Sequence, residues 1–253
     1  MNINKTKAFH NHFTKSDTNR KIDFLVLHHV EADSADHAVV QFVDHKVSSH
    51  FLIDENGEIF SLVDENDIAY HAGTSYWQGF ERLNQNSIGI EFINKSPFSK
   101  KFEPAQMQAG IELCRYLIDK YNIVAKNIVG HSDIAYNSEN GLLDRKQDPS
   151  HLFDWQFFAG AGVGIFPKIS LSGEGDKKLF QLKNKALEIK IIKEKLVQFG
   201  YKVQNLNDDF DLEMQALVRV FNRRFNPSKF ESDGDSWYLS SQMILDKLNK
   251  QVQ

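Results

Sequence analysis

Three ionisable side chains occupy positions that predicted β-strands would bring together. His28 and His131 each follow directly after a short apolar run that suits a buried strand, and Glu91 lies between Ile90 and Phe92 inside a third run. In a parallel α/β sheet the carboxyl ends of the strands form the binding crevice, so the two histidines could meet there. Burying an unpaired carboxylate costs roughly several kcal/mol, so we expect Glu91 to have a partner such as a cation or metal-bound water.

Two histidines that converge at one edge of a sheet suggest a metal site. A catalytic zinc ion usually takes three protein ligands and leaves one position for water. The third ligand must be a histidine or a carboxylate, because Cys114, the only cysteine, lies within a predicted helix. Spacing alone does not choose among the carboxylates that follow His131, which are Asp133, Glu139, Asp144 and Asp148. Three rival histidines have similar surroundings, namely His29, His50 and His71.

Each of these residues also has a plain structural interpretation. The chain has ten histidines, so two of them near strand ends carry little weight alone. His37 and His45 fall on a predicted helix face, and Glu91 could point to solvent from an edge strand. Residue types therefore leave a zinc hydrolase as one hypothesis among several.

The elements that must position these residues alternate between strand and helix. Apolar runs predict strands at 24–27, 87–93 and 127–130, and a hairpin over 48–63 around Asn56-Gly57. Helical spacing predicts one helix over 34–45 and another that opens at Pro104, where proline suits the first turn. The order strand, helix, strand favours an α/β fold with a mixed sheet.

The composition changes near residue 169, where a Gly- and Ser-containing stretch reads as a linker or exposed loop. Every element after it reads as helical. The first helix carries an apolar stripe of Leu187, Ile191, Leu196 and Phe199 and is closed by Gly200 as a C-cap. A second helix over 212–225 is stopped by Pro227, and a third covers 241–248. The sequence therefore predicts a small three-helix bundle.

Composition excludes several classes of protein. The 253 residues carry 30 Lys and Arg against 34 Asp and Glu, a net charge of −4, which argues against a nucleic-acid partner. One cysteine excludes an internal disulfide and every multi-cysteine metal site. No apolar stretch approaches about 18 residues, so we expect no membrane span. The first twenty residues show no export signal.

Seven short motifs, taken in order, resemble one enzyme family. They stand at residues 25–29, 47–51, 70–73, 86–91, 131–135, 145–149 and 153–155, and include His131-Ser132-Asp133-Ile134-Ala135. Together they are similar to the zinc-dependent N-acetylmuramoyl-L-alanine amidases of the AmpD/AmiD type (amidase family 2). That family shares its fold with phage T7-like lysozymes and peptidoglycan recognition proteins. The likeness covers about residues 22–168.

The resemblance assigns roles position by position. It implies a single zinc ion bound by His28, His131 and Asp148, with Glu91 as the catalytic acid and base. It implies that Lys146 steadies the transition state. The reaction would be hydrolysis of the amide between N-acetylmuramic acid, intact or 1,6-anhydro, and the L-alanine of the stem peptide.

The loop before Glu91 resembles the substrate side of the family. Trp77, Arg82 and Asn84 are the expected substrate-binding residues, through aromatic stacking on sugar and pairing with stem-peptide carboxylates. The alternative is that Trp77 only packs the loop. The tail, through residues 198–201 and 217–225, resembles a peptidoglycan-binding domain, although it could merely cap the fold.

The resemblance also implies a domain organisation and a cellular location. The fold class would be α/β, with a mixed central sheet flanked by helices and a small C-terminal three-helix domain. We expect a polar extension at 1–20, a catalytic domain at 21–168, a linker at 169–179 and a helical domain at 180–253. Peptidoglycan or muropeptide is the expected partner. A wall-binding tail favours the bacterial envelope or periplasm over the cytoplasm, while the oligomeric state is not predicted.

One departure and one alternative remain. His131 and Asp148 are 148 − 131 = 17 positions apart, several more than is usual in the family, so 136–143 reads as an insertion. The alternative function is a non-catalytic peptidoglycan recognition protein. Asp148 argues against it, because non-cutting relatives typically lose a metal ligand. A nucleotide-binding protein is set aside, because no phosphate-binding glycine motif is present.

Overall fold

The computed structural model describes residues 3–5, 12–16, 20–136, 143–171 and 175–251. The strands in these ranges are β1 Ile3–Lys5, β2 Phe13–Thr14, β3 Phe24–Val30, β4 Phe51–Ile53, β5 Ile59–Ser61, β6 Ile68–Ala69, β7 Tyr76–Trp77, β8 Phe80–Glu81, β9 Ser87–Ile93, β10 Ile128–Gly130, β11 Lys178–Phe180 and β12 Trp237–Tyr238. The helices are α1 Ala35–Asp44, α2 Pro104–Tyr121, α3 His131–Ile134, α4 Trp155–Gly160, α5 Leu187–Phe199, α6 Leu212–Phe225, α7 Pro227–Asp233 and α8 Leu239–Gln251.

The chain packs as two compact units. The first comprises Met1–Gly73, Arg82–His131 and Asp148–Gly164, and the second comprises Thr74–Glu81, Ser132–Gln147 and Ile165–Gln253. The second unit thus takes in three stretches that the sequence assigned to the 21–168 catalytic domain, namely 74–81, 132–147 and 165–168. The domain boundaries drawn from the sequence stay a prediction.

A six-stranded mixed sheet forms the centre of the first unit, in the order β1-β5-β4-β9-β3-β10. Strands β4, β9, β3 and β10 run parallel, whereas β5 is antiparallel to β4. The predicted α/β class, the mixed sheet and the hairpin of β4 and β5 are confirmed. The strand predicted at 24–27 is longer than expected, because its pairing with β9 continues to Val30.

Helices cover both faces of this sheet. On one face Val30, Leu52 and Ile93 form a buried cluster with Ala38 and Phe42 of α1. Successive strand residues point to opposite faces, so Phe92 lies on the other face. There its ring packs on Gly110 of α2, where a Cβ atom would come within 2.6 Å, and faces Phe158 of α4 at 6.1 Å between ring centroids.

The C-terminal part of the second unit contains α5, α6, α7 and α8 and a two-stranded antiparallel sheet of β11 and β12. The three predicted helices are present as α5, α6 and α8, and Pro227 begins a further short helix, α7, rather than only ending α6. The predicted stripe of α5 is wrong in part. Leu187 and Ile191 are exposed, and the buried face consists of Ile189, Ile192, Lys193, Leu196 and Phe199.

Membrane insertion by a helix finds no support in the structure. None of the helices in the described ranges combines the length and apolar character that a bilayer span requires.

Candidate active site

Two histidines and one aspartate of the first unit meet at the carboxyl edge of the parallel strands. His28 lies in β3, and His131 follows β10 directly as the first residue of α3. The Nδ1 atoms of His28 and His131 lie 2.9 and 3.0 Å from the same oxygen, Oδ2 of Asp148. Burial would raise the pKa of the Asp148 carboxyl, but the two imidazoles hold it well below its usual value. His28, which the sequence placed just after its strand, is a residue within it.

This group fits a zinc ion. One ligand atom from each of His28, His131 and Asp148 lies within 4.8 Å of the other two, and both histidines are buried. Two imidazole nitrogens and a carboxylate oxygen are a donor set that catalytic zinc uses. The other ring nitrogens are also satisfied: Nε2 of His28 lies 3.0 Å from Nδ1 of His71, and Nε2 of His131 lies 3.2 Å from the carbonyl oxygen of Ala72. Such outer partners orient metal-binding imidazoles.

His71 belongs to an ordered chain of hydrogen bonds behind His28. Its Nε2 lies 3.2 Å from the Oγ atom of Ser87, and that hydroxyl donates to the carbonyl oxygen of Leu83. If Nδ1 of His28 binds a metal, its Nε2 carries the proton and donates to His71, which then donates to Ser87. Burial, helped by the nearby His28, His50 and His131, holds the pKa of His71 well below its usual value, so its ring is neutral.

Gly89 makes room for the His71 ring. A Cβ atom at Gly89 would lie 2.5 Å from Cγ and 2.7 Å from Nδ1 of His71. Asn84 holds the same loop from the other side, because its Oδ1 accepts hydrogen bonds from the backbone N–H groups of His71 and Ala72 at 3.1 and 2.7 Å. Sequence reasoning gave His71 no role of its own and treated it as a rival ligand.

The ion-pair partners of the candidate carboxylates indicate which of them could be the third metal ligand. Asp133 pairs with Arg224 and accepts a hydrogen bond from Tyr201, and Asp144 pairs with Arg223. Glu139 lies outside the described residues, as does most of the predicted insertion at 136–143. Among the described candidates, Asp148 alone joins the two histidines.

The rival histidines face other partners. The His29 ring packs edge-on against Phe98, with 5.4 Å between ring centroids. Nδ1 of His50 accepts a hydrogen bond from the backbone N–H of Gly89 at 3.0 Å. Neither belongs to the group of possible ligands that the described residues form.

Glu91 lies beside His28 in the sheet. The two residues are register partners on β9 and β3, so their side chains project from the same face. Glu91 is buried, with 8% of its surface exposed, and its strand is central rather than at an edge. The alternative of a solvent-facing Glu91 on an edge strand is therefore wrong.

The remaining expected site residues differ in their surroundings. Lys146 is half-buried and lies two residues before Asp148. Arg82 is exposed and has a left-handed backbone, with φ of 55°. The Trp77 indole is fully buried against Phe199 and Tyr201, at 5.6 and 4.9 Å between ring centroids. This packing leaves no ring face for a sugar, which corrects the stacking expectation for Trp77.

Sequence comparisons find related amidases. A family model described as N-acetylmuramoyl-L-alanine amidase matches residues 18–151. The chain is 34% identical to N-acetylmuramoyl-L-alanine amidase AmiD of Escherichia coli over 234 residues, which are 85% of this chain and 79% of AmiD. It is 43% identical to 1,6-anhydro-N-acetylmuramyl-L-alanine amidase AmpD of the same organism over 113 residues, 45% of this chain and 57% of AmpD.

Solved structures show the same relationship. The complex of E. coli AmiD with the substrate anhydro-N-acetylmuramic acid-L-Ala-D-gamma-Glu-L-Lys superposes with a TM-score of 0.74 at 29% identity, covering 96% of this chain and 98% of that one. AmpDh3 from Pseudomonas aeruginosa, in complex with anhydromuramic pentapeptide, shares the fold with a TM-score of 0.72 at 24% identity, covering 98% of both chains. The family match and the extent of the likeness to AmiD show that this chain belongs to the N-acetylmuramoyl-L-alanine amidase family of enzymes.

Proposed function

We propose that this amidase works with one zinc ion held by His28, His131 and Asp148, and that its substrates are peptidoglycan fragments. The observation that supports the proposal most directly is the approach of two imidazole Nδ1 atoms to one carboxylate oxygen. A bound zinc ion supplies Lewis acidity to water and to the substrate carbonyl group. The bond cleaved joins the lactyl group of N-acetylmuramic acid to L-alanine.

Glu91 is the proposed general base and acid. It accepts the proton of the attacking water and returns a proton to the departing amine of L-alanine. Its register beside His28 and its burial support this role, because a proton shuttle must lie close to the reacting atoms.

Lys146 is the proposed electrostatic stabiliser. Negative charge develops on the carbonyl oxygen of the substrate as water attacks, and a fixed cation stabilises that charge. Its half-buried position two residues before Asp148 supports this role. No covalent nucleophile is needed in this scheme.

Substrate contacts are assigned more narrowly than the sequence suggested. Exposed Arg82 is kept as a partner for stem-peptide carboxylates. Asn84 is assigned an indirect role, because its side-chain oxygen holds the backbone of His71 and Ala72. We further propose that the C-terminal helices bind the wall polymer and that the enzyme acts in the cell envelope.

The test is digestion of muropeptides in the presence and absence of a chelator, with the products separated by mass. Release of free stem peptide that chelator abolishes and zinc restores is the expected result. Binding without cleavage would instead support a recognition protein. Parallel digestion of intact and 1,6-anhydro-muramyl substrates measures the preference between them.

The role of Glu91 has its own test. We expect Glu91→Gln to lower kcat by at least about 100-fold, which is the usual contribution of general acid–base catalysis. Zinc content should stay near one per chain, because Glu91 is not among the proposed ligands. Glu112→Gln, an exposed change on α2, is the control and should leave both values unchanged. Survival of turnover in Glu91→Gln would show that the base is another residue.

A further inference from the structure

The segment that joins the proposed ligands His131 and Asp148 carries an arginine–carboxylate ion pair near each of its ends. Residues 132–147 belong to the second unit, together with α6. Asp133 lies two residues after His131, and Asp144 lies four residues before Asp148 and two before Lys146. The partners of these two carboxylates are adjacent arginines of α6.

Arg224 and Asp133 form a buried ion pair. Nη1 of Arg224 donates to Oδ2 of Asp133, and the hydroxyl of Tyr201 donates to Oδ1 at 2.9 Å. The side chain of Asp133 has no exposed surface, and that of Arg224 has 2%. Burial, with the nearby Asp133 carboxylate, raises the pKa of Tyr201 well above its usual value, so its hydroxyl stays a donor. Both oxygens of Asp133 are therefore satisfied.

Arg223 forms the second ion pair, with Asp144. Its Nη2 lies 2.7 and 2.8 Å from the two oxygens of Asp144, and its side chain is 1% exposed. Arg219, one turn earlier in α6, adds a longer contact to Asp144 at 3.4 Å. Consecutive residues of a helix point about 100° apart, so Arg223 and Arg224 reach two different parts of the segment.

We propose that Arg223 and Arg224 are positioning residues for the amidase reaction. They fix the two ends of segment 132–147 and so set the placement of His131, Lys146 and Asp148, which continue from those ends. The rigid, planar guanidinium suits this task, because it holds a carboxylate in a defined direction better than a flexible lysine does. The C-terminal helices thus contribute to the chemistry as well as to any binding of the wall.

The test uses Arg223→Lys and Arg224→Lys in the full chain, which keep the buried positive charges. Zinc affinity is measured by competition with a chromophoric chelator, and we expect it to fall at least about tenfold, as for other groups that orient metal ligands. With zinc saturating, kcat on a soluble muropeptide should fall about tenfold or more, while KM stays within about twofold. Co-sedimentation with insoluble peptidoglycan should be unchanged.

Lys193→Met is the matched control. Lys193 is also a buried cation of the second unit, fully enclosed, and its Nζ donates to Asn207 at 2.6 Å and to the carbonyl oxygen of Asp209 at 2.8 Å. None of its hydrogen-bond partners among the described residues lies in segment 132–147. An equal loss of zinc affinity in Lys193→Met, or wild-type values in both arginine variants, would overturn the proposal.

A second set of variants keeps the test decisive if a lysine variant folds poorly. Asp144→Asn combined with Arg223→Gln removes both charges of one pair and leaves no lone buried charge. We expect the double variant to fold and to keep the lowered zinc affinity of a loosened segment. Recovery of wild-type affinity in the folded double variant would refute a positioning role for this pair.

The inference rests on the proposed metal site, and the two can fail separately. Wild-type protein that binds no zinc, or that releases no stem peptide, refutes the proposed function. Wild-type protein that does both, with variants that match it, refutes only the role of the arginines.

Discussion

His71 explains how the proposed ligand His28 is held in one tautomer. With the proposed metal on Nδ1 of His28, the donors run in one direction, from Nε2 of His28 to Nδ1 of His71, then from Nε2 of His71 to Ser87, and from Ser87 to the carbonyl oxygen of Leu83. The two neutral imidazoles and the Ser87 hydroxyl each have one proton to donate, and the Leu83 carbonyl oxygen accepts at the end. A break at His71 would leave the ring of His28 free to rotate or to change tautomer.

Gly89→Ala tests this arrangement without replacing any residue whose side chain belongs to the chain of hydrogen bonds. Alanine normally suits a strand interior better than glycine, but here its Cβ would fall 2.5 Å from the His71 ring. We expect zinc affinity, measured by chelator competition, to fall about 10- to 100-fold. Gly160→Ala is the control, since nothing lies within 4 Å of its added methyl group. Equal affinities in the two variants would contradict a supporting role for His71.

The proposed third ligand, Asp148, shows why residue types alone do not complete the candidate site. Residue types isolated His28, Glu91 and His131, because each interrupts or ends an apolar run. Asp144 and Asp133 form ion pairs with arginines that lie 79 and 91 residues further along the chain, and these pairs distinguish them from Asp148. No local pattern reports such distant pairing, so only the family resemblance singled out Asp148.

Gly200 is required at the end of α5 for two separate reasons. Its φ of 144° lies in the region that favours glycine, and a Cβ atom there would come within 2.8 Å of the buried Trp77 ring. We expect Gly200→Ala to lower the free energy of unfolding by about 2 kcal/mol or more, from strain and overpacking together. Gly175→Ala, with φ of 79° and nothing within 4 Å, carries the strain alone. Urea unfolding should show Gly200→Ala as the more harmful change.

The loop before β4 makes the first unit sensitive to acid. Burial, and to a smaller extent the nearby Arg20 guanidinium, lower the pKa of His50 to about 3. A hydrogen bond to the Asp67 carbonyl raises this pKa by less than the other two effects lower it. The unfolded chain therefore binds a proton below about pH 6.5 that the folded chain refuses until about pH 3. The contribution of His50 to the free energy of unfolding is complete above pH 6.5. It falls by up to about 5 kcal/mol as the pH falls from 6.5 to about 3.

His50→Gln should flatten this acid dependence. We expect unfolding free energies measured from pH 7 to pH 4 to fall less steeply in the variant than in the wild type, even if its stability at pH 7 is lower. His37→Gln, at an exposed position of α1, should keep the wild-type slope. An unchanged slope in His50→Gln would mean that other groups take up the proton.

Periodicity predicted the elements whose signals are local. Strand β9 and helix α2 begin where the sequence placed them, at Ser87 and Pro104, and α5 ends before Gly200. Helix α7 is not predicted by the pattern, because Pro227 ends the preceding apolar periodicity and proline also suits the first turn of a new helix. Strands β11 and β12 are two or three residues long and pair across distant sequence, which leaves no periodic trace.

At the scale of the whole molecule, sequence order and packing differ. The composition change near residue 169 suggested a boundary between a catalytic and a helical domain. Packing groups residues 74–81 and 132–147 with the helices of the second unit, and the boundary near residue 169 stays a prediction. A linker-like composition marks where a chain leaves a fold, but it does not report which earlier segments pack with the later ones.

Truncation of the chain after residue 168 tests whether the predicted catalytic domain is stable without the C-terminal helices. The cut removes Arg223 and Arg224, which are the ion-pair partners of Asp144 and Asp133. Breaking one buried ion pair costs about 3–5 kcal/mol, a large share of the 5–15 kcal/mol of a typical domain. We therefore expect residues 1–168 to melt at a much lower temperature and to bind zinc weakly, and Asp133→Asn with Asp144→Asn to restore part of the loss. If residues 1–168 instead keep the melting temperature and zinc affinity of the full chain, the boundary drawn from composition is the folding boundary, and segment 132–147 needs no support from α6.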